Sequence, residues 1–202
     1  FCGCLKLTNI TLPENLMYLD TMCFMDCSSL ESITLPSNVT YLGERCFCGC
    51  SKLTNINLTS EINTLENGCF KNCKMLTGPL TVASTDIPDE CFSGCLALTV
   101  VVINYWVETI GDASFSGCQK LNTIIVEAFD SPPVIKDNSF MKVSSSYSKN
   151  IYVQDGILES YKRVKNWSSL FTSVYTLKAM STLPETLRSV VSQSTKELYG
   201  WT

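Results

Sequence analysis

Phenylalanine recurs along this chain at a nearly constant interval, and that regularity restricts the fold more than any other feature. The intervals are 23, 23, 23, 22, 23 and 25 residues. The phenylalanines concerned are Phe1, Phe24, Phe47, Phe70, Phe92, Phe115 and Phe140. A fixed period of this length is typical of proteins in which every repeat forms one coil of a solenoid. The sequence therefore predicts a stacked array rather than a compact globule.

Each phenylalanine is followed by the same apolar pattern. The unit that begins at residue 24 contains Phe24, Cys27, Leu30, Ile33 and Leu35, and a proline follows directly. Ile33 and Leu35 alternate with polar residues, which predicts a short strand with these two side chains turned inward. Residues 43–47 are expected to form one helical turn on the far side. Because one coil cannot bury enough apolar surface to fold alone, the strands of successive coils are expected to stack in parallel.

The motif Phe-x-x-Cys-x-x-Leu-x-x-Ile-x-Leu-Pro resembles the BspA-type leucine-rich repeats of bacterial and protist surface proteins. The resemblance extends from Phe1 to about Phe140. It implies a leucine-rich-repeat solenoid, a right-handed α/β superhelix with a parallel concave β-sheet and short helical turns on the convex side. It also implies a cell-surface or secreted location, although the segment shows no signal sequence. The implied function is non-enzymatic: interaction with, or adhesion to, an extracellular or host protein or glycoprotein.

The chain is predicted to divide into leucine-rich repeats at residues 1–148, a C-terminal strand-plus-helix cap at 149–178 and an amphipathic tail helix at 179–202. The cap is expected to cover the last coil with an apolar helix face formed by Ile157, Tyr161, Val164 and Trp167. Thr182 is expected to cap the tail helix, with Glu185 completing a capping box. The apolar face of the tail helix is predicted to hold Leu187, Val190, Val191, Ser194 and Leu198.

The repeat is irregular at one strand, where Gly78 and Pro79 stand at positions that are aliphatic or polar in other coils. Proline has no N–H to donate to a neighbouring strand, and it occurs in sheets mainly at edges and bulges. We therefore predict a bulge or kink in the fourth coil.

Strand residues that point away from the core line the concave face, which is the usual binding surface of an open array. These residues change from polar in the early coils to aliphatic in the later ones, and two aromatic residues follow the fifth strand. The predicted partner-binding residues are Thr34, Asn55, Asn57, Val100, Val102, Tyr105, Trp106 and Ile125. Two alternatives stay open: the tail helix covers the aliphatic residues of its own chain, or the tail helix or the apolar patch joins two copies as a homodimer.

The composition argues against several classes of function. The chain has no histidine, which removes the commonest general base and metal ligand. We therefore predict no catalytic residue, no metal site and no cofactor. A net charge of -4 without a dense run of lysine or arginine argues against nucleic acid as a partner. No apolar stretch reaches the ~18 residues of a membrane span. The alternative to an interaction module is a structural spacer or assembly domain with no ligand of its own.

Twelve cysteines occur, most of them directly before a phenylalanine or three residues after it. Such columns favour buried free thiols that pack as small apolar side chains. Disulfides between neighbouring coils are the first alternative, because stacked strands are ~4.8 Å apart. Zinc is the second, with Cys46, Cys48 and Cys50 as ligands, although one of these side chains points outward if the others point inward.

Overall fold

The computed structural model describes residues 1–143, 149–173 and 175–201 and is a solenoid of stacked coils with short parallel strands on two faces. Successive coils pair in register: Ile33 lies opposite Ile56, and Leu19 lies opposite Leu42. The same pairing continues to Ile124, which lies opposite Ile151. The predicted leucine-rich-repeat solenoid with parallel strands is confirmed.

The strands form two rows. The row after each phenylalanine contains β2 (Ser32–Ile33), β4 (Asn55–Ile56), β6 (Leu80–Val82), β8 (Val100–Ile103), β10 (Thr123–Val126) and β12 (Asn150–Val153), and β13 (Thr176–Ala179) ends it. The row before each phenylalanine contains β1 (Tyr18–Leu19), β3 (Tyr41–Leu42), β5 (Thr64–Leu65), β7 (Asp86–Ile87), β9 (Thr109–Ile110) and β11 (Val134–Ile135). The first row is the sheet that the sequence predicts.

Hydrogen-bonded turns, not complete helical turns, connect the second row to the first. Two residues in most of these turns have positive φ, one two positions before the phenylalanine and one two positions after it. Around Phe47 they are Arg45 (φ 52°) and Gly49 (φ 78°). A left-handed residue ends any right-handed helix, so the chain at 43–47 reverses direction without forming one.

The phenylalanine rings form one column through the centre of the array. Adjacent rings are stacked with centroids 5.1–5.4 Å apart. Phe24 to Phe115 are fully buried, whereas 61% of Phe1 is exposed. Tyr175 closes the other end of the column, with its ring edge-on to Phe140 at 6.4 Å between centroids.

The cysteines follow this column as free thiols, and all twelve are unbridged. Those three residues after a phenylalanine donate from Sγ to the phenylalanine carbonyl of the preceding coil. The Cys50 thiol, for example, lies 3.1 Å from the Phe24 carbonyl oxygen, and the Cys73 thiol lies 3.1 Å from that of Phe47. The position thus needs a small side chain that is largely apolar but can donate one weak hydrogen bond. The prediction of packed free thiols is confirmed.

The predicted bulge in the fourth coil is also confirmed. Leu80 lies opposite Val101, so the paired strand residue comes four positions after Leu76 but only three positions after Leu98 in the next coil. The extra residue lies at Gly78 and Pro79. The sheet of the first row is interrupted here, since β4 and β6 are not paired.

Two helices, α1 (Leu158–Arg163) and α2 (Lys165–Ser173), follow β12. Tyr161 and Trp167 are fully buried, and the Trp167 indole N–H donates to the Pro133 carbonyl at 2.7 Å. The prediction that Val164 lies on the buried face of the cap helix is wrong. Its backbone is extended between the two helices, which turns the side chain to the surface.

The prediction of a single tail helix is also wrong. The tail forms a 3₁₀ turn at Met180–Thr182 and two short helices, α3 (Glu185–Arg188) and α4 (Gln193–Tyr199). Thr182 does not cap a helix, because its hydroxyl donates to the Ala179 carbonyl. The helix cap is Ser192, whose Oγ accepts from the Thr195 N–H at 3.2 Å.

The break between α3 and α4 rotates their faces, so the predicted apolar face is divided. Val191 is buried, and Leu187 and Val190 are partly buried against it. Ser194 and Leu198 are exposed. The domain boundaries at 148 and 178 stay predictions, and residue 148 lies outside the described residues.

Candidate interaction surface

The tail covers the strand face of the last coils. Val102 and Ile125 have no exposed surface, and they pack with Met180, Leu183 and Val191 in a second apolar cluster outside the solenoid core. This is self-coverage, the first of the two alternatives that the sequence leaves open. A partner that approaches this face in the present structure meets the tail and not these two strand residues.

A buried carboxylate fastens the tail to the array. Glu127 has no exposed surface, and its Oε1 accepts from the Ser192 N–H at 2.6 Å, at the start of α4. Its Oε2 accepts from the Asn104 amide at 3.2 Å. Burial raises the pKa of the Glu127 carboxyl, while hydrogen bonds from Ser192 and Thr195 lower it. These hydrogen bonds offset the free-energy cost of burying the Glu127 carboxylate, which therefore holds the tail against the array.

Asp155 forms a second set of hydrogen bonds between the array and the tail. The Asp155 carboxylate accepts from the Ser181 N–H and from the Tyr199 hydroxyl, each at 3.0 Å. The two fastenings hold both ends of the segment that covers Val102 and Ile125. The tail is therefore part of the folded array rather than an appended helix.

The polar part of the predicted surface lies in earlier coils. Thr34 and Asn55 are exposed on the strand face. The Asn57 amide is engaged by its own chain: Oδ1 accepts from the Leu35 N–H at 2.7 Å and Nδ2 donates to the Leu35 carbonyl at 3.0 Å. Asn57 thus holds two coils together. Partner binding by these three residues stays a prediction.

The aromatic part lies on the edge of the solenoid, in the loop between β8 and β9. Trp106 is 60% exposed and Tyr105 is half-buried, with ring centroids 4.8 Å apart. Tyr105 also contacts Phe129 of the next coil, at 5.7 Å between centroids. Val100 is half-buried against the tail cluster and does not join these rings. Tyr105, Trp106 and Phe129 form the surface that we name the aromatic edge.

Two grooves flank Trp106. One, of about 500 Å³, runs between residues 105–108 and 128–134. The other, of about 450 Å³, runs between Trp106 and tail residues 190–194. The loop that carries Trp106 is ordered by Asn104, whose Oδ1 accepts from the Trp106 N–H at 3.3 Å. The hydrogen bonds from Trp106 through Asn104 and Glu127 to Ser192 connect the aromatic edge to the tail.

Sequence reasoning missed Phe129 and Glu127. A signal for Glu127 exists: Asn104 and Glu127 both stand twelve residues after a phenylalanine, where the first two coils have proline. Polar side chains at the same position in adjacent coils lie side by side in a solenoid. Phe129 stands fourteen residues after Phe115, as Trp106 does after Phe92, so the repeat also signals that these two aromatic residues occupy equivalent positions.

The buried cysteines have a structural role. Burial raises the pKa of the Cys50 and Cys118 thiols to about 12, so they stay protonated and are poor nucleophiles. Within the described ranges, no three histidine, cysteine or acidic side chains converge as metal ligands would. None of the helices in the described part of the chain is long and apolar enough to cross a bilayer.

The chain matches the profile of the BspA type leucine-rich-repeat region over residues 1–95 and 85–194, with six copies of the repeat. No functionally curated protein matches it. Its fold is similar to that of a leucine-rich-repeat protein of T. pallidum, with TM-score 0.57, 20% identity and 85% of each chain covered.

Two longer proteins are also similar. They are a leucine-rich cell surface protein of Faecalibacterium prausnitzii (TM-score 0.57, 18% identity, 86% of this chain and 48% of that one) and the pneumococcal vaccine antigen PcpA (TM-score 0.60, 17% identity, 84% and 40%). This chain spans less than half the length of either.

Leucine-rich repeats commonly serve as protein-interaction modules, and proteins of this fold are typically non-enzymatic. Both the profile match and the stacked coils show that the chain belongs to the BspA-type leucine-rich-repeat family.

Proposed function

We propose that this chain is a protein-interaction or adhesion module of a cell-surface or secreted protein, and that it contacts its partner through the aromatic edge. The observation that carries the proposal is Trp106. Large exposed aromatic side chains on ordered loops are the residues that most often dominate binding energy at protein interfaces. Trp106 lies between two grooves on such a loop, while the apolar strand face is already covered.

The proposed partner is an extracellular or host protein or glycoprotein. The family membership supports display at the cell surface, since one similar protein is itself described as a cell surface protein. Labelling of intact cells that produce the full-length protein, with an antibody against this region, tests display. Labelling only after permeabilisation would reject it.

The binding test is a screen of the protein against immobilised extracellular glycoproteins and polysaccharides. Trp106→Asp is expected to remove any specific signal, because it replaces the exposed ring with a solvated charge. Met75→Asp is the matched control: Met75 is also exposed and apolar, but it lies in an earlier coil away from the aromatic edge.

The alternative function, a structural spacer, gives a different result. Coverage of the strand face by the chain's own tail favours it for that face. A spacer binds nothing above background in the screen. Specific binding that survives Trp106→Asp would instead place the contact elsewhere on the array.

A further inference from the structure

The larger groove at the aromatic edge is lined by both aromatic rings and carboxylates. Phe129 is 40% exposed, and with Trp106 it presents ring surface to solvent. The charged residues in its walls are Glu108 and Asp130. Both carboxylates are exposed, and neither forms an ion pair with any residue that the structure describes.

The other loops at this edge carry few charged residues. In other coils, the loops at the same edge span residues 13–16, 36–38, 59–61 and 83–85. Two of these loops contain one carboxylate each, Glu14 and Glu61, and neither these loops nor the groove itself contains lysine or arginine. A surface with one sign of charge attracts ligands of the other sign.

From this geometry we propose that the groove between Trp106 and Phe129 receives a cationic side chain of the partner protein, an arginine in preference to a lysine. The inference rests on the proposed function and specifies the chemistry of the contact. A guanidinium group stacks on aromatic faces and donates hydrogen bonds in a plane, so the rings and the two carboxylates can engage it together. Guanidinium carries five donors and no acceptor, which matches walls whose charged groups are acceptors only.

A second copy of this chain fits the groove poorly. In a twofold dimer the same patch faces itself, which would bring Glu108 and Asp130 of both copies together without a compensating cation. A neutral sugar could stack on the rings, but it would not require the two carboxylates to be charged. The acidic walls therefore favour a cationic peptide segment over either occupant.

The test uses the whole protein and a short glycine peptide with two arginines. The probe signal is the Trp106 indole N–H resonance, identified by its loss in Trp106→Phe. We expect the resonance to shift with a Kd of about 1 mM or tighter at low salt, and the binding to weaken several-fold as salt is raised to about 200 mM. The same peptide with citrulline is the neutral control, because citrulline keeps the shape of arginine and removes its charge.

Charge removal in the protein provides the second arm. The double change Glu108→Gln and Asp130→Gln is expected to weaken binding of the arginine peptide about tenfold or more. Glu14→Gln, on the edge loop of the first coil, is the matched control and should change binding less than about twofold. Thermal unfolding of each variant shows that the fold is retained.

Three results with the peptides, the variants and an oligosaccharide would overturn the inference. They are equal binding of the citrulline peptide, unchanged binding after both carboxylates are removed, and a shift of the Trp106 resonance with a neutral oligosaccharide but not with arginine. A concentration-dependent dimer that buries Trp106 would overturn it too. Each of these can occur while Trp106→Asp still abolishes partner binding in the screen, so failure of the inference is distinguishable from failure of the proposed function.

Discussion

Replacement of Phe70 by alanine tests how the array is held together. The ring is fully buried and stacks at 5.4 Å on Phe47 and at 5.4 Å on Phe92. Truncation of a buried phenylalanine to alanine typically costs about 3–5 kcal/mol of unfolding free energy. Loss of two ring pairs places the expected cost at the upper end, about 4–5 kcal/mol.

Phe1→Ala is the matched control. Phe1 belongs to the same column, but it stacks on one ring only and is 61% exposed. Since full burial of such a side chain is worth about 1.5–3 kcal/mol, the expected cost is about 1 kcal/mol. The two variants make the same chemical change at the middle and at the end of one column.

The assay is equilibrium unfolding in urea, followed by circular dichroism and by tryptophan fluorescence. A defect in the middle of a repeat array can also uncouple the coils on its two sides, because each coil contacts only its neighbours. We therefore expect the Phe70→Ala transition to occur at lower urea and the two probes to separate. Equal destabilisation by the two variants would show that the position of a ring in the column does not determine its contribution to stability.

Three further changes test individual features. Ala113→Gly should raise the free energy of unfolding in urea by about 0.5–1 kcal/mol. Ala113 has φ 51°, and glycine avoids the penalty of about 1–2 kcal/mol for a left-handed residue at a smaller cost in backbone entropy. A loss of stability would contradict this. Lys149 is buried with no hydrogen-bond partner for Nζ among the described residues, and burial lowers the pKa of its amine. Between that lowered pKa and the unfolded value the unfolded chain binds the extra proton, so stability should rise with pH there, and Lys149→Met should remove this slope and stabilise by about 1 kcal/mol or more; a wild-type slope in the variant would disprove the assignment. Glu127→Ala should weaken tail docking by about 1–3 kcal/mol and speed tryptic cleavage after Arg188, because it leaves the Ser192 N–H unpaired; unchanged cleavage would show that the carboxylate does not hold the tail.

Much of the array could be predicted from the sequence, because each coil repeats the environment of the last. Phe47, Cys50 and Leu53 are buried for the same reason as their counterparts one coil on, so the period alone places them. The bulge at Gly78 and Pro79 followed from the chemistry of a single residue type. These features depend on local spacing, which the sequence displays directly.

The tail and the aromatic edge depend on contacts that the period does not contain. The tail bends between α3 and α4, where Glu127 accepts from Ser192, a residue 65 positions later. Helical periodicity predicts one continuous amphipathic helix there, since it contains no information about a carboxylate in another coil. Phe129 has the same offset in its coil as Trp106, but that offset does not show that its ring contacts Tyr105, because the contact depends on side-chain orientation.

We propose the aromatic edge as the contact surface because the tail covers the strand face of the last coils. The most direct test is the stability of Val102→Asp against that of Trp106→Asp. Val102 has no exposed surface, so an aspartate there would be a buried unpaired charge costing about 3 kcal/mol or more. Trp106 is 60% exposed, and its replacement should cost less than about 1 kcal/mol. Equal and small effects in urea unfolding would mean that the tail leaves the strand face open in solution, so that Val102 and Ile125 would be free to contact a partner.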